Sequence, residues 1–415
     1  MRRLACLAAL AAAPVLLARC SASTVELTPL DFQRVTGSTT DTGLNNGGVL
    51  GRGAAGAFDE RANFTTNAFR DSDGIRLYYG GADSDQANPA CGGINDVHWR
   101  IGLAISTDGI NFTRVPGSEA KGAILDHGAP DDFDSFLTYR PNVLKDGNVY
   151  RMWYNGSQHP FNCAPATAAG NLAVDRRIGY AESTDGMHFT KMNNGPGPGG
   201  SVLPLGPSSI DAQQVGYVWV IKDTNDYKMY YSANDGQNFW RIALATSRDA
   251  RTWTKVPGKQ AGGSIVDIGP TTAVNCASND DCAATPSTPI CFTGTGGPFC
   301  AAADHFCAYQ PSVVKENGSL YRMWYRGCQG LGNPNGPSLG TLQYAESNDG
   351  ITWVKIPQNG RPQNAVLVAG SPGSFDSGGL TTPSVFLDGT TWNLYYAGFD
   401  LNGQFSTGLA RAPRQ

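Results

Sequence analysis

Short apolar strands separated by turn residues recur along this chain, and the recurrence carries more information than any single strand. Each repeat opens with an aspartate followed seven residues later by the head of an apolar strand. Asp134 precedes Pro141-Asn142-Val143, Asp304 precedes Pro311-Ser312-Val313, and Asp376 precedes Pro383-Ser384-Val385. Asp59 and Asp211 keep the offset, with Thr66 and Val218 in place of the proline. A turn such as Lys145-Asp146-Gly147 follows, then an aromatic strand: Leu77-Tyr78-Tyr79, Met152-Trp153-Tyr154, Met229-Tyr230-Tyr231, Met323-Trp324-Tyr325 and Leu394-Tyr395-Tyr396.

After a variable loop comes a third strand, at 101–104, 178–181, 242–245 and 342–345, and then a Ser-x-Asp turn into an aromatic outer strand. Ser106-Thr107-Asp108-Gly109 leads to Phe112, Ser183-Thr184-Asp185-Gly186 to Phe189, Ser247-Arg248-Asp249 to Trp253, and Ser347-Asn348-Asp349-Gly350 to Trp353. Asp-Gly between apolar strands marks a hairpin, because glycine accepts positive φ and aspartate bonds its own turn backbone. Four short strands per repeat predict an all-β fold, a five-bladed β-propeller with four antiparallel strands per blade, over 24–415. The blades fall at about 58–116, 133–194, 210–257, 303–357 and 375–411. The fifth repeat ends after Leu409-Ala410 without an outer strand, while Leu30-Asp31-Phe32-Gln33-Arg34-Val35 matches Ile110-Asn111-Phe112-Thr113-Arg114-Val115 nearly position for position. The N-terminal segment at 25–37 is therefore expected to pair with the last blade and close the ring, which removes an open strand edge.

Antiparallel order puts the loop entering strand one and the loop between strands two and three on one face. Those loops are long, at 81–97, 156–176 and 327–340, and the opposite turns are near minimal, so binding is expected on the long-loop face. His98, His127, His159 and His305 map to that face, where solvated loop histidines are the default. Beyond the first segment stand eight cysteines: Cys91, Cys163, Cys276, Cys282, Cys291, Cys300, Cys307 and Cys328. An even number in an exported chain argues for disulfides. Cys91 with Cys163, and Cys307 with Cys328, are candidate pairs. The other four fall in an insert at 273–303, between the third and fourth blades, where no strand pattern is visible; a stapled knob is expected, with a zinc site as the alternative.

Composition narrows the partners. Charged residues make up 16% of the chain, against a usual share of about 25%, which fits short strands and many turns. A net charge of −4 without a Lys/Arg run offers no field for nucleic acid or for an anionic membrane surface. Residues 1–23 read as a bacterial-type export signal, with Arg2 and Arg3 ahead of an apolar core. Leu17-Ala18-Arg19-Cys20 resembles a lipobox, so two alternatives stand: a lipid anchor on Cys20, giving a surface or periplasmic lipoprotein, or cleavage near Ala22 and secretion. No later segment reaches the ~20 apolar residues that span a bilayer. A monomer is expected.

A blade that reads Phe-Asp-Ser, Pro-Ser-Val, Asp-Gly, Tyr-x-Met-Trp-Tyr-x-Gly and Ile-Gly-Tyr-Ala-x-Ser-x-Asp-Gly-x-x-Trp resembles the five-bladed propellers of the arabinanase, levansucrase and invertase superfamily. These are glycoside hydrolase families 43, 32, 62 and 68, with the related family 130, and the resemblance spans about residues 25–412. It implies catalytic aspartates on inner strands just before a proline, and a glutamate acid on a third blade. The positions before the proline or the residue in its place are Thr65, Arg140, Tyr217, Gln310 and Thr382, none of them acidic. The carboxylates left in register are the repeated aspartates. Asp59, Asp134 and Asp211 are the candidate catalytic residues, since glycoside hydrolysis generally uses two carboxylates ~5–9.5 Å apart. The competing reading is that an aspartate present in every repeat braces a strand entry.

Positions that differ between repeats are the substrate-binding candidates: Tyr139, Arg140, Tyr217, Tyr309, Gln310 and Thr382 inside the funnel, with Trp99 and Trp240 as sugar-stacking candidates. Trp153, Trp253, Trp324 and Trp353 sit at repeat positions and are assigned to packing. Arg100, Arg177 and Arg241 are expected to pair with rim carboxylates. The resemblance allows an axial cation such as calcium, but no ligand spacing selects one, so no cofactor is expected and a metal site stays unassigned. The leading reading is an extracellular carbohydrate-directed propeller that binds or hydrolyses a glycan. The alternative is a glycan-binding or adhesion module that has lost catalysis. A third is a sialidase-like enzyme, suggested by the Asp-box form of the Ser-x-Asp-Gly turn, although that family has six blades.

Overall fold

The computed structural model describes residues 30–41, 47–86, 97–159, 176–206, 210–236, 239–272, 274–282, 284, 287–288, 290–292, 299–316, 318–328, 340–358 and 360–414. The segment read as an export signal, with Cys20, and both Cys91 and Cys163, whose pairing is expected, lie outside them. The chain is all-β. After β1 (Gln33–Arg34), the first unit holds β2 (Ala62–Asp71), β3 (Gly74–Gln86), β4 (Val97–Ser106) and β5 (Thr113–Val115). The second holds β6 (Leu137–Asp146), β7 (Val149–Ser157), β8 (Arg177–Ser183) and β9 (Thr190–Lys191), and the third β10 (Gln214–Lys222), β11 (Tyr227–Asn234), β12 (Trp240–Ser247) and β13 (Thr254–Val256). A small hairpin, β14 (Ile290–Phe292) and β15 (Phe299–Ala301), precedes the fourth unit of β16 (Cys307–Lys315), β17 (Tyr321–Cys328), β18 (Thr341–Ser347) and β19 (Val354–Lys355). The last unit holds β20 (Gly379–Asp388), β21 (Thr391–Phe399) and β22 (Phe405–Pro413). All pairing within a unit is antiparallel, and β1 supplies the fourth strand of the last unit by pairing Gln33 with Arg411 and Arg34 with Ala410.

The first strand of every unit is irregular where the proline or its equivalent stands, as the register breaks between Tyr139 and Asn142, Gly216 and Trp219, Tyr309 and Ser312, and Thr381 and Ser384. Proline has no N–H to give to a ladder, so a bulge is where it fits. The break turns the next side chain toward the neighbouring unit. Asn67 Oδ1 accepts from Val143 N at 3.0 Å, Asn142 Oδ1 from Val220 N at 2.8 Å, Ser312 Oγ from Val385 N at 2.9 Å, and Ser384 Oγ from Ala68 N at 2.7 Å. In the third unit Trp219 Nε1 donates to Val313 O at 2.8 Å. Each step joins one unit to the next in sequence, and the last returns to the first.

A second set of bonds repeats the circuit at the other end of these strands. Asp71 accepts from Lys145 and Tyr150, Asp146 from Lys222 and Tyr227, and Asp223 from Lys315 and Tyr321. Glu316 pairs with Arg414 at 3.1 Å and Asp388 with Arg70 at 2.7 Å. The apolar core likewise lies between units. Trp153 and Tyr180 pack with Val218, Met229 and Trp253; Tyr395 and Leu409 of the last unit pack with Leu77 and Phe112 of the first. Burying such side chains is worth about 1.5–3 kcal/mol each, so the inter-unit faces supply much of the stabilisation.

Three local outcomes differ from the sequence reading or extend it. The insert does contain strands: Ile290, Cys291 and Phe292 pair with Ala301, Cys300 and Phe299. Three-residue strands are too short to display alternation, and here two disulfides, Cys276–Cys291 and Cys282–Cys300, fasten the hairpin to the preceding turn. Paired in this way, the four thiols are the staples of the knob expected from the sequence. Cys307 and Cys328, opposite one another on β16 and β17, form a third bridge. Finally, the segments linking units carry their own repeat, Val49-Leu50, Ile124-Leu125, Val202-Leu203, Ile265-Val266 and Val366-Leu367. All are buried, and four of the segments bridge a third strand through Leu50, Leu125, Val266 and Leu367.

Candidate functional site

The aspartates proposed as catalytic are each closed into a local box. Asp59 accepts from Tyr79 OH at 3.1 Å and Arg114 Nε at 2.7 Å, Asp134 from Tyr154 OH at 2.9 Å and Lys191 Nζ at 2.6 Å, and Asp211 from Tyr231 OH at 3.0 Å with Lys255 Nζ at 2.6 Å. Asp304 and Asp376 do the same with Tyr325 and Lys355, and with Tyr396 and Arg34. All five are buried. The cation comes from the outer strand two residues after its aromatic residue, a pairing visible only once the strands are stacked. Burial, and then the adjoining carboxylate, push the Tyr79, Tyr154 and Tyr231 phenols well above their usual value, so each stays a donor. Asp59, Asp134 and Asp211 are thus held inside three different units, and none of them lines the cavity described next.

The variable positions before the proline do come together. Arg140, Tyr217, Gln310 and Thr382, with Val218, Trp219, Pro311 and Pro383, line a small cavity of about 20 Å³, room for about one water, where first strands meet. All four carry left-handed backbone, with φ of 54°, 49°, 55° and 46°. Non-glycine residues held there cost of order 1–3 kcal/mol each, and such strain concentrates at binding sites. Here the bulge imposes it, and the consequence is that four non-equivalent side chains point to one place. Thr65, the fifth position in the series, is described in its backbone alone.

Electrostatics set this cavity apart from the rest of the molecule. Arg140 is only 8% exposed, its guanidinium stacks 4.7 Å over Phe64 and 4.6 Å over Tyr217, and its Nε and Nη1 have no hydrogen-bond partner. Burial pulls its pKa below the usual arginine value. Arg176 lies 5.7 Å from the Tyr217 ring and 5.6 Å from that of Trp240, and donates to Tyr139 OH at 2.8 Å. Arg326 donates to Tyr309 OH at 2.6 Å. Burial pushes the Tyr217 phenol up, but the guanidiniums of Arg176, Arg140 and Arg326 outweigh it and bring the phenol below its ordinary value. Gln310 Oε1 is taken by Thr381 Oγ1 and by Thr382 N, while Thr382 Oγ1 is buried without a partner. Among the described residues, no aspartate or glutamate lines the cavity.

The remaining candidates sit behind this wall. Tyr309 stacks on Trp240 with centroids 5.6 Å apart, and both are buried. Trp99, 1% exposed, is packed by Phe64 at 4.9 Å and Tyr139 at 6.3 Å, so it offers no open ring face to a sugar. Arg100 pairs with Asp83 and Asp126, and Arg241 with Asp235 and Asp267, as rim arginines should. His98 and His127 lie 5.0 Å apart and are not solvated loop residues; burial first, and then Arg100, push the His127 imidazole down to about 4. Asp83, Asp85 and His98 could hold a cation by proximity, but Lys121 already bridges both carboxylates and Arg100 binds Asp83. Arg176, Arg326 and Phe64 were not singled out in the sequence, because they belong to loop ends or repeat positions with no distinguishing pattern.

No family model matches the chain. Among curated proteins it is 29% identical over 224 residues to the uncharacterized protein Rv1502 of Mycobacterium tuberculosis, an alignment covering 54% of this chain and 62% of that protein. Solved structures with a similar fold include a glycoside hydrolase (TM-score 0.58, 13% identity, 89% of this chain and 92% of that one). A second comes from work on family 130 mannoside phosphorylases, which contain hydrolases that target β-1,2 mannosidic linkages in Candida mannan (0.57, 14% identity, 92% and 94%). A third is the β-1,2-mannobiose phosphorylase of Listeria innocua in complex with β-1,2-mannobiose (0.52, 12% identity, 85% and 90%). At these identities the likeness is one of fold: the chain is built on the scaffold of glycoside hydrolases and related phosphorylases.

Proposed function

We propose that the chain is a five-bladed β-propeller, closed by its N-terminal strand, that binds carbohydrate in the axial cavity around Tyr217. The inter-unit bonds that return from Ser384 to Ala68, and from Asp388 to Arg70, support five blades in a ring. The carrying observation for ligand binding is the convergence of Arg140, Tyr217, Gln310 and Thr382, four side chains that differ between repeats, on one cavity. Aromatic faces and forked donors suit a polyhydroxylated ligand, and the neighbours of similar fold act on mannosides. Three disulfides support an oxidising, exported location.

Of the two forms of this reading, the binding module is favoured over the hydrolase. Hydrolysis by the usual route needs a general acid and a second carboxylate at the bond, and the cavity lining offers neither, while the five aspartates are committed to tyrosine and to lysine or arginine. Incubation of the full chain with arabinans, fructans, mannosides and xylans tests both forms. Retention of a glycan without release of reducing ends is the expected result. Hydrolysis that disappears in Asp134→Asn or Asp211→Asn, with folding intact, would establish an enzyme instead.

A further inference from the structure

Arg140 is a buried cation without a carboxylate. It is 8% exposed, lies over the rings of Phe64 and Tyr217, and pairs with no acidic side chain among the described residues. Arg76 and Arg100, buried to the same degree, each face two aspartates: Asp71 and Asp73 for the first, Asp83 and Asp126 for the second. Two more guanidiniums crowd the same phenol. Arg176 lies 5.7 Å from the Tyr217 ring and donates to Tyr139 and Gln214, while Arg326 donates to Tyr309 and Thr381. All of these acceptors are neutral. Burial pushes the Tyr217 phenol up, yet the guanidiniums of Arg176, Arg140 and Arg326 hold it below its ordinary value, a sign of positive charge without local compensation. A desolvated charge is costly unless it is paired.

The cavity wall offers donors to an anion. Nε and Nη1 of Arg140 are sealed against the protein, which leaves Nη2 as the guanidinium nitrogen at the cavity. Gln310, 4% exposed, accepts through Oε1 from Thr382 N at 2.9 Å and from Thr381 Oγ1 at 2.5 Å. A backbone N–H can only donate, so the amide is fixed with its oxygen toward Thr382 and its Nε2 donor left for the cavity. With room for about one water, the space admits a monatomic ion and excludes carboxylates, sulfate, phosphate and sugar rings. We propose that this cavity is a halide site, in which a chloride ion held by Arg140 Nη2 and Gln310 Nε2 beside Tyr217 neutralises the arginine cluster at the axis. A water in its place would accept from both donors but leave the charge uncompensated. The ion joins β6 of the second unit to β16 of the fourth across the axis. It does not depend on the carbohydrate reading, because a sugar would lie at the mouth of the cavity and the ion within it.

Thermal unfolding of the full chain in sodium chloride against sodium gluconate, at an equal ionic strength of about 0.2 M, tests this, since gluconate is too large to enter. Chloride raises the Tm by about 2 °C or more over gluconate, as expected for an ion bound by the folded chain alone and present well above its Kd. Bromide does the same, and a crystal soaked in bromide shows an anomalous peak within hydrogen-bonding reach of Arg140 and Gln310. Arg140→Met loses the difference between the salts, and so does Gln310→Glu, whose carboxylate supplies the negative charge from the protein itself. Merely structural roles for Arg140 and Gln310 would leave that difference intact, and comparison with the native chain removes any action of the salts on the rest of the surface. A salt difference that is absent in the native chain or the same in the variants, or a bromide soak that leaves only water in the cavity, overturns the proposal and leaves the carbohydrate reading in place. So does tyrosinate absorbance at neutral pH that disappears in Tyr217→Phe, because the phenolate would then be the counter-ion.

Discussion

Arg34 Nε donates to the buried Asp376 at 2.8 Å, which ties the start of the described chain to its last unit. Arg114 makes the equivalent bond to Asp59, and lysines make it in the second, third and fourth units. The N-terminal segment therefore supplies the fourth strand of the last unit, and Val35 N to Leu409 O continues the pairing.

Arg34→Ala leaves the Asp376 carboxylate with the hydroxyls of Tyr396 and Ser374 and no cation, and it should lower the unfolding free energy by about 2 kcal/mol, the cost of a lost charged hydrogen bond at a buried acceptor. Arg34→Lys should recover most of this, because lysine does the same task at Asp134, Asp211 and Asp304. Urea unfolding of both variants gives the comparison. Equal loss in both would mean that the bond to Asp376 does not carry the closure.

Ser384→Ala removes the acceptor for the buried Ala68 N–H and should cost about 1–3 kcal/mol, the penalty for an orphaned donor. Ser384→Asn should restore part of that stability, because Asn67 and Asn142 make the same inter-unit bond elsewhere. The check is the urea midpoint together with hydrogen exchange at Ala68. An Ala68 amide unchanged in protection would place the last and first units apart.

Acid should unfold the protein in two windows. The His127 imidazole, held near 4 by burial and Arg100, takes up its proton later than in the unfolded chain, near 6.5, so stability falls as pH drops from about 6.5 toward about 4, by up to ~3 kcal/mol. Asp71 and Asp349 are held down to about 2 against their own burial, Asp71 by Lys145 and Tyr150, Asp349 by the backbone of Thr352 and Ile351. Their contribution is complete above the unfolded carboxyl value near 4 and is lost from there toward about 2. Urea midpoints across pH 2–8 read both windows, and His127→Gln should shrink the upper one, to which His98 and His305, also pulled down by burial, still contribute, while leaving the lower one unchanged.

Replacing Cys276, Cys282, Cys291 and Cys300 by serine should release the insert without unfolding the units. Closing loops of 15 and 18 residues restrains the unfolded knob by about 3 kcal/mol each, and a three-residue hairpin cannot stand without them. Limited proteolysis should then cut within 273–303 while the thermal transition of the remainder stays in place. Loss of that transition would show that the knob is integral to the fold.

The architecture was legible because its signals recur: the Asp-to-proline offset, the Tyr strand and the Ser-x-Asp turn appear in unit after unit, and Phe32-x-Arg34 repeats Phe112-x-Arg114. The same repetition hid the site. An aspartate in five units drew attention as a carboxylate, yet its partners, an aromatic strand's Tyr and an outer strand's cation, are set by stacking of strands distant in sequence. The cavity was half legible, since Arg140, Tyr217, Gln310 and Thr382 differ between repeats at one position. Their left-handed backbone was not, because a residue before proline ordinarily prefers extended backbone. Arg176 and Arg326 border loops whose lengths vary, so no register assigns them to the axis in advance.

A crystal structure of the full chain grown with the tightest-binding oligosaccharide tests the central claim most directly. The account predicts five four-stranded blades in a closed ring, with the sugar bound at the axial cavity beside Tyr217. A different blade number, or a sugar bound away from the axial cavity, would contradict it.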